Sequence, residues 1–579
     1  MKKVITLLLS VFFLAVFLNY SPIMEKITGR IMGIPVSSAE QIDRLLAGKN
    51  EEMISSKITL NGKKAPYDKN SNTVFIPQNP DNDSWEGKLK TESGHIYLSR
   101  DELLSDKSSA ISTGHIFQLY LINENTYSVC NMVFTGMPII NITLPDSGPR
   151  DINLGVDGLL DVTDPYRIAD SIKNIPCTYA LRGASARGYE KSSYKLTLDN
   201  KKVSLLGMRR DDDWILNALY DDFGLIHNKF SYVVWREIAQ NNTVANDEGT
   251  TMEYAELFID DEYLGVYGLT ERIDAKELSL KDKDILYKCR AMRIPEEHNY
   301  SNERTDGLQP IFLLKHPKEF TQKDWDPLKT WVNLFCKEQM TSYEEGYKLL
   351  NMENAIDYNL FCMLMCGRDN MRKNIYFIAE YQENGEFAFK KVPWDLNATW
   401  GNQWVDDEAC NYSKYIPESV SEVDAWCTDI DTLYYYNETA VSELLLDRWK
   451  ELRRTILTKE RLYEILDEQF GYLYLTGAYA RNYQRWPHGA EYWKDDYIYQ
   501  YIDGRLAFLD EYFELLYMDS LEPAVYMGVD YSEEFNVRYY WQTNRETLEE
   551  LYPYDKQLLL EHYALYGKPF GLKAKIDGT

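Results

Sequence analysis

One stretch of this sequence decides how the rest is interpreted: Gly367-Arg368-Asp369-Asn370-Met371-Arg372-Lys373-Asn374, followed after two strand-like segments by Pro393-Trp394-Asp395. It places an Asp, an Asn five residues later, and a second Asp two strands further on. Transfer of a phosphoryl group from a nucleotide needs such a set. One carboxylate orients the attacking hydroxyl, while an amide oxygen and a second carboxylate hold Mg²⁺ against the phosphates.

The segments around this stretch predict that its three polar residues meet. Residues 374–380 and 387–392 read as two strands of a hairpin around Glu383-Asn384-Gly385. Asp369 and Asn374 then precede one strand and Asp395 follows its partner, so all three lie at one edge of the sheet. Protein kinases have the same order in H-R-D-x-x-x-x-N and D-F-G. Here Gly367 replaces the His, and no Phe-Gly follows Asp395.

Each of the three residues also has a purely structural interpretation. A D-x-x-x-x-N spacing alone is common by chance. Asp369 would then be a helix-end or turn residue, Asn374 a turn amide, and Asp395 a buried carboxylate that accepts backbone N–H groups. The spacing alone leaves both interpretations open.

A second candidate cluster begins at Arg182 and runs through Gly183 and Ser185 to Lys191. Glycines between two strands let backbone N–H groups approach phosphate oxygens, and a Lys just beyond them neutralises phosphate charge. Glu271 is placed to pair with that Lys. The alternative is an ordinary glycine hairpin with solvated cations and an exposed carboxylate at a strand end.

Length and charge limit the classes of protein that fit. A chain of 579 residues is expected to form two to four structural units, and its 44% apolar residues are enough for large cores. The formal net charge of -28 argues against nucleic acid and anionic membrane surfaces as partners, because both would be repelled.

The N-terminal segment predicts export. Lys2 and Lys3 precede an apolar run from Val4 to Leu18 that is shorter than the ~20 residues needed to span a bilayer. The next small-x-small cleavage site, Ser37-Ser38-Ala39, lies far downstream, so a single uncut membrane anchor is the alternative. We expect the body of the protein outside the cytoplasm, secreted or anchored to the membrane or cell envelope, with the spore coat as one location.

The cysteines and histidines give no metal signature. No pair of the eight Cys has C-x-x-C spacing and the seven His are scattered, which argues against a zinc site. Cys362 and Cys366 are interpreted as small packed residues.

The pattern of apolar residues predicts an α+β protein in four parts. Residues 1–39 are a signal peptide or anchor, and 40–145 are a small all-β, sandwich-like domain. Residues 146–517 mix strands with helices, including a helix at 226–240 and helical periodicity over 441–517. Residues 518–579 form a short helical module, interpreted as a targeting or partner-binding unit.

Several motifs occur together in a fixed order, and through them the chain resembles the CotH family of atypical protein kinases over residues 146–517. The motifs are Arg182-Gly183-x-Ser185…Lys191-x-x-Tyr194, Tyr263-Leu264-Gly265-Val266-Tyr267…Glu271-Arg272-Ile273-Asp274, Asp369…Asn374-Ile375-Tyr376, Pro393-Trp394-Asp395-Leu396-x-x-Thr399-Trp400-Gly401, Ala478-x-x-Arg481-x-x-x-Arg485-Trp486-Pro487 and Arg505-Leu506-x-x-Leu509-Asp510.

The resemblance implies a protein-kinase-like fold that uses ATP and Mg²⁺ or Mn²⁺ to phosphorylate protein Ser or Thr hydroxyls. It places Asp369 at the catalytic Asp and Asp395 and Asn374 at the metal. It places Lys191 at the nucleotide phosphates, with Lys195 as a competing choice. Arg182, Ser185 and Glu271 complete the predicted nucleotide site.

One position departs from the family pattern. The family commonly reads W-D-x-D, whereas this chain has Asn397 at the second acidic position. An amide offers a carbonyl oxygen to the metal but no negative charge, so Mg²⁺ affinity falls.

Two classes of function therefore remain. The first is an exported kinase that phosphorylates a protein, either itself or a coat or surface protein. The second is a noncatalytic kinase-like scaffold or adhesin, or a structural spore-coat component. Asn397 and export favour the second class, and the intact Asp369, Asn374 and Asp395 favour the first.

Overall fold

The structure is a computed structural model that describes residues 29–575 apart from 54–57, 146–147, 149, 169–170, 184, 292–299, 305–309, 338, 403–425, 489–492 and 549–554. The predicted export segment up to residue 28 lies outside the described residues. Within the described part of the chain, none of the helices combines the length and apolarity needed to cross a bilayer.

The strands and helices follow one another along the whole described chain. The strands are β1 (Arg30–Ile31), β2 (Ile34–Ser37), β3 (Asn50–Glu51), β4 (Ile58–Leu60), β5 (Lys63–Lys64), β6 (Tyr67–Asp68), β7 (Thr73–Pro77), β8 (Leu89–Thr91), β9 (His95–Ser99), β10 (Ile116–Ile122), β11 (Thr126–Thr135), β12 (Ile139–Thr143), β13 (Val156–Thr163), β14 (Ile172–Leu181), β15 (Tyr194–Leu198), β16 (Val203–Ser204), β17 (Arg210–Asp211), β18 (Asp213–Asn217), β19 (Met252–Ile259), β20 (Glu262–Glu271), β21 (Ile285–Cys289), β22 (Phe312–His316), β23 (Ile375–Tyr381), β24 (Phe387–Pro393), β25 (Val525–Tyr526) and β26 (Val529–Asp530). The α-helices are α1 (Ala39–Leu46), α2 (Lys107–Ser112), α3 (His227–Gln240), α4 (Asp326–Cys336), α5 (Tyr343–Leu349), α6 (Met352–Met365), α7 (Arg368–Arg372), α8 (Thr428–Tyr436), α9 (Glu438–Thr455), α10 (Lys459–Leu475), α11 (Ala478–Arg485), α12 (Asp496–Leu521), α13 (Val537–Thr543), α14 (Arg545–Leu548) and α15 (Lys556–His562).

The chain forms two compact units, each built from segments that are distant in sequence. The first comprises the chain up to Tyr220 together with Met252–Thr270 and Glu468–His488. The second comprises Asp221–Thr251, Glu271–Asp467 and the chain from Gly489 onward. These divisions differ from the sequence-based boundaries at 145 and 517, because segments far apart in sequence pack into the same sheets and cores.

The N-terminal part of the first unit is rich in β-structure. An eight-stranded sheet has the order β1-β2-β9-β10-β11-β7-β6, with β3 also paired to β11, and β5-β4-β8 form a three-stranded sheet. Apolar residues of both sheets share one core, including Ile58, Leu89 and Phe134. The all-β expectation for residues 40–145 was wrong in one respect, since α1 begins just before this segment and α2 lies within it. Asp106 accepts a hydrogen bond from Ser109 N–H and so starts α2.

The second sheet system of this unit closes on itself. Its strand order is β12-β13-β14-β15-β18-β20-β19, and β12 pairs in parallel with β19 to complete the ring. The ring includes the strand at 194–198 and the hairpin of β19 and β20. The inward residues of β15, Tyr194, Leu196 and Leu198, alternate with half-exposed ones, which is the pattern of a strand with one buried face.

Helix α6 is the central helix of the second unit. Every residue from Asn354 to Met365 is buried, which is typical of a helix enclosed on all sides. Around it lie α3, α8, α9 and the four-stranded sheet β22-β21-β23-β24. The helix ends at Cys366, whose left-handed backbone (φ 49°) turns the chain toward Asp369.

The C-terminal residues contain helices, as predicted, and also a short hairpin of β25 and β26. They have a core of their own that includes Phe535, Trp541 and Leu560. Arg538 is fully buried, lies 3.8 Å from the centre of the Trp426 ring, and donates to Asp431 at 2.8 Å. The segment is therefore packed onto α8 of the second unit.

The described cysteines are all free thiols. Cys362 and Cys366 are buried within and just after α6, as the interpretation of small packed residues expects.

We predict that Asp247→Asn stabilises the protein at neutral pH. Asp247 is fully buried, and burial raises the pKa of its carboxyl group to about 6, although Asn354 and Asn242 donate to it and Lys390 is near. A folded-state pKa above the unfolded value stabilises the fold only at low pH, and this contribution is lost as pH rises through about 6. The variant should gain up to about 3 kcal/mol of unfolding free energy at pH 7 and much less at pH 4.

Urea titrations at pH 4, 5.5 and 7 measure this difference, with Glu383→Gln in the exposed turn between β23 and β24 as the control. A gain that does not change with pH would show that the buried charge is not its cause.

Candidate active site

The hairpin of β23 and β24 brings the two halves of the key stretch together. Ile375 pairs with Pro393 at the end of the hairpin, and the Trp394 N–H donates to the Asn374 carbonyl at 3.0 Å. Asn374 and Asp395 therefore leave the same end of the sheet, as the sequence predicts for residues that flank a hairpin.

Helix α7 is joined to this end by a residue that the sequence reasoning did not single out. Asn370 is fully buried, and its Nδ2 donates to the Trp394 carbonyl at 2.8 Å. Its own carbonyl accepts from the Tyr358 hydroxyl at 2.8 Å. Asp369 directly precedes Asn370, and Asn370 is bonded to Trp394, the residue before Asp395. The hydrogen bond therefore links the residue next to Asp369 to the start of the Asp395 loop. The sequence signal for this contact was Asn370 itself, an amide inside the quoted motif to which no role had been assigned.

Asp369 lies in the first turn of α7 and forms an ion pair with Lys373, one turn later, at 2.8 Å. About a third of each side chain is exposed (31% and 28%), so solvent reaches the carboxylate. Lys373 therefore contacts the predicted catalytic carboxylate.

The backbone is strained at two of the predicted residues. Asn374 (φ 56°) and Asp395 (φ 61°) both have left-handed backbone conformations, which Asn and Asp adopt more readily than other non-glycine residues. Asp395 is exposed and its N–H donates to the Tyr232 hydroxyl at 3.3 Å. Such strain is concentrated at functional sites, where the surrounding structure maintains it.

Oxygen atoms suited to a hard cation are available here. Within the described chain the side chains of Asn374, Asp395 and Asn397 make no hydrogen bond or ion pair, and Asn397 uses its backbone carbonyl to accept from Asn402. Mg²⁺ and Mn²⁺ take carboxylate and amide oxygens together with water and phosphate. The donor set therefore fits such a cation. The described residues contain no cluster of three His, Cys, Asp or Glu side chains suited to a metal.

Helix α3 hydrogen-bonds to residues that follow Asp395. Asn228 Oδ1 accepts from Leu396 N–H at 2.9 Å, and Ser231 Oγ accepts from the Trp400 indole at 2.8 Å. Asp222 in turn accepts both the backbone N–H and the side-chain amide of Asn228 at 2.9 Å. Sequence reasoning identified the helix but none of these contacts.

Lys191, predicted to bind phosphate, is buried inside the first unit. Its ammonium donates to the Val266 carbonyl at 2.6 Å and to Asn482 Oδ1 at 2.9 Å, and lies 4.8 Å from the centre of the Tyr267 ring. Burial lowers its pKa well below the ordinary value. No described carboxylate of this unit is its ion-pair partner. Phosphate binding by Lys191 would require it to exchange these partners.

The contacts of Lys191 belong to a network of hydrogen bonds between two of the sequence motifs, the one over residues 263–267 and the one over residues 478–487. Asn482 Oδ1 also accepts from Val266 N–H at 3.0 Å, and Trp486 donates to the Leu264 carbonyl at 2.9 Å. Gly265 (φ 89°) leaves room for this contact, because a Cβ at that position would lie 2.6 Å from Asn482 Oδ1. Helix α11 is thereby attached to strand β20.

The remaining residues of the predicted nucleotide cluster are distributed as follows. Arg182 N–H donates to the Ser193 carbonyl at 3.0 Å. Ser185 begins a 3₁₀ turn, Ser185–Gly188, and its side chain lies outside the described structure. The competing Lys195 forms an ion pair with Asp213 at 3.1 Å.

Glu271 belongs to the second unit, where it is buried and accepts a hydrogen bond from the Thr251 hydroxyl. Lys191 and Glu271 thus each have partners within their own unit.

Cations cluster at the four-stranded sheet, which is unexpected in so acidic a chain. Lys288 on β21 lies opposite Tyr376 on β23, with its ammonium 5.1 Å from that ring and 5.3 Å from the Trp394 ring. Partial burial lowers the pKa of Lys315, and the charges of Arg272, Lys288 and Arg290 lower it further. Lys315 and the three cations around it therefore form one cluster, which Lys288 extends toward Trp394, and we call these four residues the cationic face.

The fold is a mixed α+β one in which a β-rich N-terminal region precedes mainly helical segments. The family model described as CotH kinase protein matches residues 180–509. Because the match covers more than half of the 579 residues, the chain belongs to the CotH kinase family. A comparison with curated proteins finds no match.

We predict that Asn370→Ala destabilises the second unit. The substitution removes the donor to the buried Trp394 carbonyl, and an unsatisfied buried acceptor costs about 1–3 kcal/mol. Urea titration followed by tryptophan fluorescence measures this loss. Asn384→Ala, in the exposed hairpin turn, is the matched control and should change the unfolding free energy by no more than about 0.5 kcal/mol. Equal stability of the two variants would remove Asn370 from this role.

Proposed function

We propose that this chain is a protein kinase that transfers the γ-phosphoryl group of ATP to a protein Ser or Thr hydroxyl with Mg²⁺ or Mn²⁺. Membership of the CotH kinase family supports a kinase-like protein. The observation that carries the proposal is the meeting of α7 with the end of the β23–β24 hairpin, through Asn370 and the Trp394 carbonyl. It places the Asp369 helix beside the loop of Asp395. We further propose that the kinase domain has a protein-kinase-like fold.

Each polar residue then has a role that its position supports. Asp369, partly exposed, orients the substrate hydroxyl and accepts its proton as the oxygen bonds to the γ-phosphorus and ADP leaves. Asp395, Asn374 and Asn397 provide oxygens for the cation. Bound there, the cation would offset phosphate charge. The Asp395 carboxylate has no protein partner within the described residues and is free to bind it.

The cationic face supports a nearby site for a polyphosphate. A nucleoside triphosphate brings three to four negative charges, which an acidic protein surface would otherwise repel. The four residues of the cationic face, of which Lys288 lies next to Trp394, offset that repulsion locally. They lie in the same unit as Asp369 and Asp395, and we assign the phosphates to this face rather than to the internally bonded Lys191.

The N-terminal apolar segment supports a location outside the cytoplasm. We propose a secreted or membrane-anchored kinase of the cell envelope, the spore coat included, whose substrate is a coat or surface protein or the chain itself. The net charge of -28 favours a substrate segment with basic residues around the phosphorylated hydroxyl.

A second function has specific observations in its favour. The ion pair of Asp369 with Lys373 and the amide at Asn397 both reduce the negative charge available to a metal. A kinase-like scaffold or adhesin that binds a partner without turnover would have no need for that charge. Incubation with radiolabelled ATP, with and without Mn²⁺, distinguishes the two. Metal-dependent labelling of the chain or of Ser-rich peptides supports the kinase, and saturable partner binding without labelling supports the scaffold.

We predict that Asp369→Asn lowers turnover by about 10²–10⁴-fold, because the amide neither accepts the proton nor orients the hydroxyl as a carboxylate does. Initial rates of phosphate incorporation measure the change. Glu443→Gln, an exposed carboxylate on α9, is the control. Unchanged incorporation in Asp369→Asn would refute the assignment.

Asp395→Asn should abolish metal-dependent nucleotide binding, since it removes the one uncommitted carboxylate among the proposed ligands. Calorimetric titration of Mn²⁺–ATP into both proteins measures this. Equal affinities would remove Asp395 from the cation site.

Lys315→Met should weaken ATP binding by about tenfold and leave adenosine binding unchanged, because only the phosphates contact the cationic face. Lys348→Met, an exposed cation on α5, controls for a general change in charge. Equal losses for ATP and adenosine would mean that Lys315 does not act through phosphate.

A further inference from the structure

The residues before α3 fix the orientation of one amide. Asp222 is 1% exposed, and its two oxygens accept the N–H and Nδ1 of His227 at 2.9 and 2.8 Å and the N–H and Nδ2 of Asn228 at 2.9 Å. A carboxylate only accepts, so Nδ2 of Asn228 must face Asp222. The Asn228 Oδ1 is then directed away from Asp222 and toward the loop of Asp395.

Two side chains of α3 bind the peptide groups on both sides of the Asp395 Cα. Asn228 Oδ1 accepts the N–H of Leu396 at 2.9 Å, and the Tyr232 hydroxyl accepts the N–H of Asp395 at 3.3 Å. The two residues are four apart, so they lie on one face of the helix. Together these contacts restrict both backbone torsions of Asp395.

Such restriction matters because the conformation is unfavourable. Asp395 has φ 61°, in the left-handed region, and its side chain is exposed, so packing of that side chain does not enforce the conformation. Strained backbone persists only where surrounding contacts determine it. The hydrogen bonds from α3 are such contacts.

We propose that Asn228, oriented by Asp222, is a positioning residue that directs the Asp395 carboxylate toward the cation site. The proposal rests on the proposed function only for the identity of the ligand. The restriction of the backbone itself does not depend on it.

Mn²⁺ alone, titrated calorimetrically into the full-length chain, is the first test. Asn228→Ala should weaken Mn²⁺ binding by about fivefold, the effect of one neutral hydrogen bond. Ser231→Ala is the matched control. It removes the contacts to Thr399 and Trp400 from the same helix but none to Asp395 or Leu396, so Mn²⁺ affinity should stay within about twofold of the parent.

Hydrogen exchange of the peptide over 393–401, measured by mass spectrometry without metal, is the second test. Asn228→Ala should raise exchange at Asp395 and Leu396, whereas Ser231→Ala should not. If the parent chain binds no Mn²⁺ but exchange rises in this way, the cation site fails and the positioning role stands. Unchanged exchange in Asn228→Ala, or equal loss of Mn²⁺ affinity in Ser231→Ala, would overturn the proposal.

Discussion

The arrangement of the candidate site in the second unit depends on one hydrogen bond, made by a residue to which the sequence analysis assigned no role. The Asn370 amide donates to the carbonyl of Trp394 at 2.8 Å, in an interior where neither group has water to replace its partner. Through it the helix of Asp369 is attached to the end of the β23–β24 hairpin. A buried polar contact of this kind has a unique geometry, whereas apolar packing alone tolerates small shifts. The relation of Asp369 to the Asp395 loop is therefore specified by this bond.

The same principle explains the loop that follows. A chain of hydrogen bonds runs from Leu396 through Asn228 to Asp222. Leu396 N–H donates to the Asn228 side chain on α3, and that side chain donates to Asp222. Asp395 remains exposed and Asn374 half-buried, while the backbones of both are strained. The second unit thus combines a hydrogen-bonded support with the side chains of Asp395 and Asn374, which have no protein partner within the described residues. Such a combination suits a site that must receive a ligand.

Local features of this fold were predictable from sequence because they depend on neighbouring residues. The hairpin of β23 and β24 follows from strand-like segments around Glu383-Asn384-Gly385, and its ends bring Asn374 and Trp394 together. Helix α3 and strand β15 likewise agree with the periodicity of their apolar residues. The sequence therefore predicted the positions of the polar residues that flank this hairpin.

The remaining features depend on residues far apart in the chain, for which spacing gives no signal. Lys191 is bound by Asn482, 291 positions later, and this contact places its ammonium inside the first unit. The bond from Asn228 to Leu396 spans 168 positions. The division into two units is also set by contacts between distant segments, because each unit is assembled from separate stretches of the chain. The ion pair of Asp369 with Lys373 is a local contact. It was still not predictable from spacing, because Lys373 reaches Asp369 only when these residues adopt the conformation of α7.

We propose that the oxygens at the end of the β23–β24 hairpin share one divalent cation. Crystals grown with Mn²⁺ and a non-hydrolysable ATP analogue test it through the anomalous signal of manganese. We expect a peak about 2.2 Å from an Asp395 carboxylate oxygen, with Asn374 or Asn397 as a further ligand and the Asp369 carboxylate facing the γ-phosphate. Manganese bound elsewhere, with Asp395 in contact only with solvent, would contradict it.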